Sequence, residues 1–150
     1  MKTLFDRDKV AEVKERLDAL RPDSPRQWGT MSAPQMLAHC ATGLEAALGD
    51  ELPPRLLIGR ILGGLVKSRE LGTDAPFRRN SPTAPFMMIA DERELESERA
   101  RVRTLIDRFA SGDRAGCTTH PHTFFGRLTP DEWGVLMYKH LDHHFRQFGV

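Results

Sequence analysis

The chain has 150 residues, of which 39% are hydrophobic and 29% are charged. This length and composition predict one globular domain spanning residues 1–150, with enough apolar residues to form a core. Its 22 lysine and arginine residues nearly balance 21 aspartate and glutamate residues, so the formal net charge is +1 and binding to nucleic acid is not expected.

The two cysteines and the first residues favour a cytoplasmic protein. Cys40 and Cys117 lack the CxxC spacing of many metal and redox sites, and reduced thiols are expected for both. Residues 1–20 carry charges throughout, and no stretch approaches the ~18 apolar residues that span a membrane. The sequence therefore predicts neither a signal peptide nor a membrane partner.

The first two helices have clear sequence signals. Apolar residues at helical spacing predict an amphipathic helix from about Asp6 to Leu20. Ser32-Ala-Pro-Gln35 predicts the start of a second helix, because the serine hydroxyl can accept an early amide hydrogen and Gln35 can reach back to the cap. This helix is predicted to continue to about Leu48. Its apolar stripe consists of Met36, Cys40, Leu44 and Ala47.

A third, very apolar helix is predicted from Arg55 to about Glu70, and its three glycines favour close packing. We expect its apolar residues to contact the core or a second copy of the chain. A helix lying on a membrane surface is the alternative, but two arginines interrupt the segment. Residues 71–90 contain three prolines and no helical period, which predicts a long crossover loop that covers a site.

Two further helices complete the predicted fold. Asp91 and Glu94 predict the start of the fourth helix, and Thr129-Pro130-Asp131-Glu132 predicts the start of the last. No strand pattern competes with these helices. The sequence therefore predicts an all-α four-helix bundle with long crossover loops and one extra short helix. The buried face of the fourth helix is predicted to contain Leu95, Val102, Leu105, Ile106 and Phe109.

The last helix contains three of the six histidines. His140 and His144 lie about 40° apart on a helical wheel and share the face of Trp133 and Phe148, which is expected to point into the bundle. Imidazoles one turn apart can bind one divalent metal ion together. Burying the two rings without partners would cost ~1–3 kcal/mol each, and a metal would remove this cost. Hydrogen bonds to backbone carbonyls are the alternative.

A third metal ligand is expected from another helix, because catalytic metal sites typically have three protein ligands and an open position. His39 is the best candidate, although the wheel places it about 100° from the centre of its apolar stripe, at the flank of the core. His120 and His122 form a rival pair of donors, for which local packing is the favoured interpretation. His143 is expected at the flank of the last helix.

Three segments of the chain resemble the DinB-like superfamily of metal-binding four-helix bundles, within it a branch known only as a domain of unknown function. The segments are Trp28–Cys40, Pro121–Thr129 and Trp133–Phe148, and the last contains the most specific motif, His-x-x-His-His-x-x-Gln. The resemblance covers nearly the whole chain. It implies that His39, His140 and His144 bind a zinc or nickel ion, as in similar proteins.

Some members of that superfamily join a low-molecular-weight thiol to an electrophile. The function we expect is therefore metal-dependent thiol transfer, with Gln35 and His143 as groups that orient the ligands or the substrate. Hydrolysis by a metal-activated water would need a carboxylate base, and neither Glu45 nor Asp142 lies on a ligand face. The alternative is a non-catalytic bundle that forms a homodimer or binds another protein through its apolar third helix.

Overall fold

A computed structural model describes all residues from 1 to 150. It contains five α-helices, two short 3₁₀-helices at Pro85–Met87 and Asp113–Gly116, and no β-strand, which confirms the predicted all-α class. None of the five helices combines the length and the apolar sequence needed to cross a lipid bilayer. The α-helices are α1 (Arg7–Ala19), α2 (Ala33–Leu48), α3 (Leu57–Leu71), α4 (Leu95–Gly112) and α5 (Pro130–Gln147).

Four of the helices form the bundle. α2 packs against α4 and α5, and α1 packs against the same two helices from the other side. Together they enclose a core of 25 buried apolar residues, among them Trp133, Phe109 and Phe145. All five residues predicted for the buried face of α4 are in this core. Burial of the apolar core contributes about 25 cal/mol per Å² and is the main source of the free energy that stabilises the fold.

The helix starts agree with the sequence signals in two cases and differ in the third. The predicted capping boxes form at Ser32 of α2 and at Thr129 of α5. At α4, however, Glu94 alone is the cap, since its carboxylate accepts hydrogen bonds from the amides of Glu96 (3.0 Å) and Ser97 (2.7 Å). The expected capping role of Asp91 is wrong, because residues 91–94 are not helical and Asp91 pairs with Arg93.

The third helix lies outside the bundle core. Gly59 and Gly63 rest on the backbone of Phe124, where a Cβ atom would lie 2.5 and 2.1 Å, respectively, from the carbonyl oxygen. This confirms the predicted close packing for two of the three glycines, whereas Gly64 faces open space. Leu71 at the end of α3 is part of the core, but the apolar side chains from Leu57 to Leu65 do not enter it, because the glycine side of the helix faces the protein. They form an exposed surface, the α3 apolar face, consisting of Leu57, Ile58, Ile61, Leu62 and Leu65.

The crossover between α3 and α4 returns over the bundle to the histidines. The buried ammonium of Lys139 on α5 donates hydrogen bonds to the carbonyl oxygens of Glu70 and Thr73 at the start of this segment. Further along, the ring of Phe77 lies beside His143, and the carbonyl of Met87 contacts His39. The crossover therefore covers the histidine cluster, in agreement with the expectation from its length.

Candidate metal centre

Two facing helices bring three histidines together. α2 carries His39, and α5 carries His140 and His144 one turn apart. One ring nitrogen of each residue lies within 4.8 Å of those of the other two. The closest pair is Nε2 of His39 and Nε2 of His140, at 2.9 Å. The structure thus places the three predicted ligands at one point between the helices.

His39 is held by the 3₁₀-helix that crosses above it. Its Nδ1 lies 2.9 Å from the carbonyl oxygen of Met87 and donates a hydrogen bond to it, which leaves the lone pair on Nε2. The side chain is only 4% exposed, so its predicted place at the flank of the core is wrong. The helical wheel describes α2 alone, whereas α5 and the crossover cover this side of α2 in the fold.

His144 is held in the same way by a side chain. Its Nδ1 donates to Oε1 of Gln147 at 2.8 Å, and the amide of Gln147 donates in turn to the carbonyl oxygen of Trp28 at 2.8 Å. Gln147 is the last residue of the His-x-x-His-His-x-x-Gln motif, but this role was not predicted for it. The spacing in the sequence could have indicated this role, because a side chain three residues after a histidine ligand lies on the same side of the helix. The structure shows that Gln147 is also buried.

His140 differs from the other two ligands, because its Nδ1 has no hydrogen-bond partner in the protein. The ring packs closely against α2 at Gly43. A Cβ atom at Gly43 would lie 3.1 Å from both Nδ1 and Cε1 of His140. The third ring is therefore positioned by this packing and by the contact of its Nε2 with Nε2 of His39.

Burial keeps the three rings neutral. It lowers the pKa of His39, although the hydrogen bond to Met87 partly offsets the effect. It also lowers the pKa of His140 well below its usual value and that of His144 to about 3. Repulsion between the neighbouring rings acts in the same direction for His140 and His144. At neutral pH each ring therefore keeps a nitrogen lone pair, the form that binds metals.

The residues fit a divalent metal ion. Nitrogen ligands about 2.0–2.1 Å from a tetrahedral zinc ion lie roughly 3.3 Å apart. Here one pair of ring nitrogens is 2.9 Å apart and all three lie within 4.8 Å of one another, so small movements of the side chains would bring them to this spacing. Hydrogen bonds fix the orientation of two of the three rings, as is typical of metal-binding histidines. No carboxylate is part of the cluster. Glu45 pairs with Arg101, and Asp142 pairs with Arg16 and Arg146.

Of the two residues expected to orient ligands or substrate, only His143 lies beside the histidine cluster. The structure does not bring Gln35 to the cluster: its amide accepts from the backbone of Ser32 and donates to the carbonyl of Asp91. His143, in contrast, lies next to His144, with ring centroids 5.0 Å apart. It is not simply at the flank, because Trp28 and Phe77 pack against its ring.

Both histidines of the rival pair, His120 and His122, form hydrogen bonds to backbone groups packed around them, which confirms the local-packing interpretation. Nε2 of His120 donates to the carbonyl oxygen of Pro53 at 2.9 Å. Nδ1 of His122 accepts hydrogen bonds from the amides of Phe124 (3.2 Å) and Phe125 (3.0 Å). Burial, together with the nearby charge of Arg55, lowers the pKa of His122 to about 4.

A cavity of about 70 Å³ lies beside His140. The residues that line it include His122 and Trp133, while Met87 and Leu136 contribute apolar surface. No aspartate or glutamate lines it. A small molecule could therefore reach one of the candidate ligands from this side.

Comparisons with known proteins identify a family but no activity. Neither the curated proteins nor the solved structures gave a significant match to this chain. A profile of the family described as "Protein of unknown function (DUF1569)" matches residues 3–149. Because the match spans nearly all of the sequence, the chain belongs to this family.

Proposed function

We propose that His39, His140 and His144 bind one zinc or nickel ion, which activates a low-molecular-weight thiol for transfer to an electrophile. The observation that carries the proposal is the convergence of three neutral imidazoles, two of which are oriented by hydrogen bonds. The sequence resemblance to DinB-like metal proteins agrees with this ligand set, and the proposal includes membership of that superfamily.

Thiol chemistry suits the surroundings of the cluster better than hydrolysis does. A bound divalent ion lowers the pKa of a coordinated thiol, so that the thiolate forms at neutral pH. The thiol proton goes to solvent, a sulfur–carbon bond forms, and the bond to the leaving group on that carbon breaks. Water activation would benefit from a carboxylate base, but Glu45 and Asp142 are held in ion pairs. His143, whose ring lies beside that of His144, would orient the substrate.

The first test is elemental analysis of untagged protein after loading with zinc or nickel at pH 7. We expect about one metal per chain in the wild type and loss of the metal in His140→Ala and His144→Ala. His120→Ala is the matched control, since His120 bonds to Pro53 away from the cluster and should retain the metal. A wild type without metal, or equal metal content in all variants, would contradict the site.

A second test separates a thiol-activating site from a metal site without this activity. Cobalt(II) in place of the native ion reports sulfur coordination through a near-ultraviolet charge-transfer band. Adding cysteine to the cobalt protein should produce this band in the wild type. The band should be absent from His144→Ala. If cobalt binds with the expected stoichiometry but cysteine gives no band, the result supports the metal site and contradicts the proposed thiol chemistry.

The α3 apolar face supports a second candidate function, self-association. Leu57, Ile61 and Leu65 follow one another at successive turns and are 76%, 82% and 77% exposed. Contiguous exposed apolar surface of this kind marks interaction sites. If this face pairs two copies, sedimentation equilibrium will show a dimer for the wild type and a monomer for Ile61→Glu. Met88→Glu, at an exposed apolar residue outside α3, is the control that should remain dimeric. A monomeric wild type excludes this candidate.

A further inference from the structure

The cavity beside His140 is bounded by separate parts of the chain. Its wall includes Gly43 and Ala46 of α2, Met87 of the crossover and Met137 of α5. Two residues of the wall also belong to the candidate metal centre, since His140 is one candidate ligand and the carbonyl of Met87 accepts a hydrogen bond from another. A molecule in the cavity would therefore lie next to the candidate metal centre.

The wall of the cavity lacks carboxylate, ammonium and guanidinium groups. None of the residues that line it is an aspartate, glutamate, lysine or arginine. The nearby guanidinium of Arg55 donates a hydrogen bond to the carbonyl oxygen of Gly59 and is not part of the wall. An ion that entered the cavity would lose water without meeting an opposite charge, and this desolvation is costly. The cavity therefore disfavours ionised ligands.

Most of the polar side chains in the wall are bonded to the protein or hidden from the cavity. Nε2 of His120 donates to the carbonyl oxygen of Pro53, and Oγ1 of Thr123 donates to that of Pro54 at 2.8 Å. The indole nitrogen of Trp133 has essentially no accessible surface, so the cavity meets only the carbon atoms of this ring. These three side chains therefore present mainly apolar surface to a ligand.

The remaining groups of the wall define the size and polarity of a ligand. His122 and His140 each have one ring nitrogen that forms no hydrogen bond within the protein, so a ligand can form one or two hydrogen bonds here. Met87, Leu136 and Met137 supply apolar surface. The volume of about 70 Å³ holds several water molecules or a molecule of about three to five heavy atoms. The ligand that fits is small, uncharged and mainly aliphatic.

We infer that this cavity binds a small uncharged aliphatic molecule, and that this molecule is the electrophile of the proposed thiol transfer. The second part rests on the proposed function. A short-chain epoxide is one such electrophile. In the transfer, the thiolate sulfur forms a bond to a ring carbon, the bond from this carbon to the ring oxygen breaks, and the oxygen takes up a proton from solvent. The wall selects against electrophiles that carry a charge.

The first test is a titration of metal-free protein with propan-2-ol, followed by NMR of protein labelled with ¹³C at the methionine methyl groups. Met87 and Met137 line the cavity, whereas Met88 is exposed outside it and reports non-specific contact. Replacing each of the three by leucine assigns the signals. Those of Met87 and Met137 should shift to saturation, and that of Met88 should move little. Isopropylammonium and acetate, which are similar in size but charged, should cause no saturable shift at the same ionic strength.

Filling the cavity provides a matched pair of variants. Ala46 lines the cavity from α2, so the larger side chain of Ala46→Leu should occupy part of it and lower the affinity for propan-2-ol at least tenfold. Ala100→Leu, at an exposed position of α4, is the control that should bind like the wild type. Unchanged affinity in folded Ala46→Leu would overturn the inference. The absence of saturable shifts in the wild type, or equal shifts with the charged molecules, would overturn it without any variant.

The assignment of the electrophile is tested separately from the metal proposal. In zinc-loaded protein with cysteine as the thiol, transfer to glycidol should exceed transfer to glycidate, its carboxylate counterpart, at least tenfold after correction for the uncatalysed rates. Ala46→Leu should lower transfer to glycidol at least fivefold while keeping its zinc. Saturable methionine shifts without any transfer would support the binding site and contradict the proposed function. Transfer to glycidol without those shifts, or equal transfer to both epoxides, would overturn the inference and leave the proposed function intact.

Discussion

Oε1 of Gln147 lies 2.8 Å from Nδ1 of His144 and holds the proton of that ring on the side away from His39 and His140. The same glutamine is fixed by the carbonyl of Trp28. This contact determines which nitrogen of His144 carries a lone pair, and therefore whether the ring can act as the third ligand. It links the candidate metal centre to the loop between α1 and α2.

Replacing Gln147 should therefore weaken metal binding without removing a ligand. We expect Gln147→Leu to lower zinc affinity by about 10–100-fold, because the ring of His144 loses the acceptor that fixes its tautomer and orientation. Competition with a chromophoric chelator measures this change. Gln35→Leu is the matched control, since Gln35 serves the capping box of α2 and does not contact the cluster. Equal zinc affinities in the two variants would contradict the assigned role of Gln147.

The contrast between these two glutamines shows what the sequence could and could not predict. Local signals were sufficient for the caps at Ser32 and Thr129 and for the close spacing of His140 and His144, because these depend on neighbours along one helix. The burial of His39 and the contact between Gln147 and Trp28 depend on segments far apart in sequence. Helical periodicity contains no information on such contacts, so the wheel placed His39 at the flank.

The protein should lose stability in mild acid through His122. The folded-state pKa is about 4 and the unfolded ring has a pKa near 6.5, so between these values the unfolded state binds more protons and stability falls as the pH falls. The contribution is at most about 1.4 kcal/mol per pH unit. Urea unfolding at pH 7.0, 5.5 and 4.5 should show a smaller loss for His122→Asn, which keeps the turn acceptor but does not titrate. Parallel curves would contradict this account.

The glycines of α3 should respond in opposite ways to alanine. A Cβ atom at Gly63 would lie 2.1 Å from the carbonyl oxygen of Phe124, whereas a Cβ atom at Gly64 would have no heavy atom within 4 Å. We expect Gly63→Ala to destabilise the protein by about 1–3 kcal/mol through overpacking. Gly64→Ala should stabilise it by about 0.5–1 kcal/mol through helix propensity. Thermal unfolding of the two variants beside the wild type measures both effects, and a shift of the same sign in both would contradict the packing described.

Lys139 should hold the crossover segment in place. Its ammonium donates to the carbonyl oxygens of Glu70 and Thr73, where α3 ends, and lies 4.9 Å from the centre of the Phe77 ring. Lys139→Met keeps the length of the side chain but leaves these carbonyls without their donor, at a cost of about 1–3 kcal/mol. The segment that follows should open more often, and trypsin should cleave faster at Arg78.

Lys67→Met is the matched variant for that experiment. Lys67 also lies on α3, but its ammonium pairs with Glu132 nearer the surface, an interaction worth about 0–1 kcal/mol. Cleavage at Arg78 should therefore change little in this variant. Because the crossover carries Met87, the acceptor for His39, Lys139→Met should also bind zinc less tightly than Lys67→Met does. If both variants are cleaved at the wild-type rate, the segment is held by contacts other than Lys139.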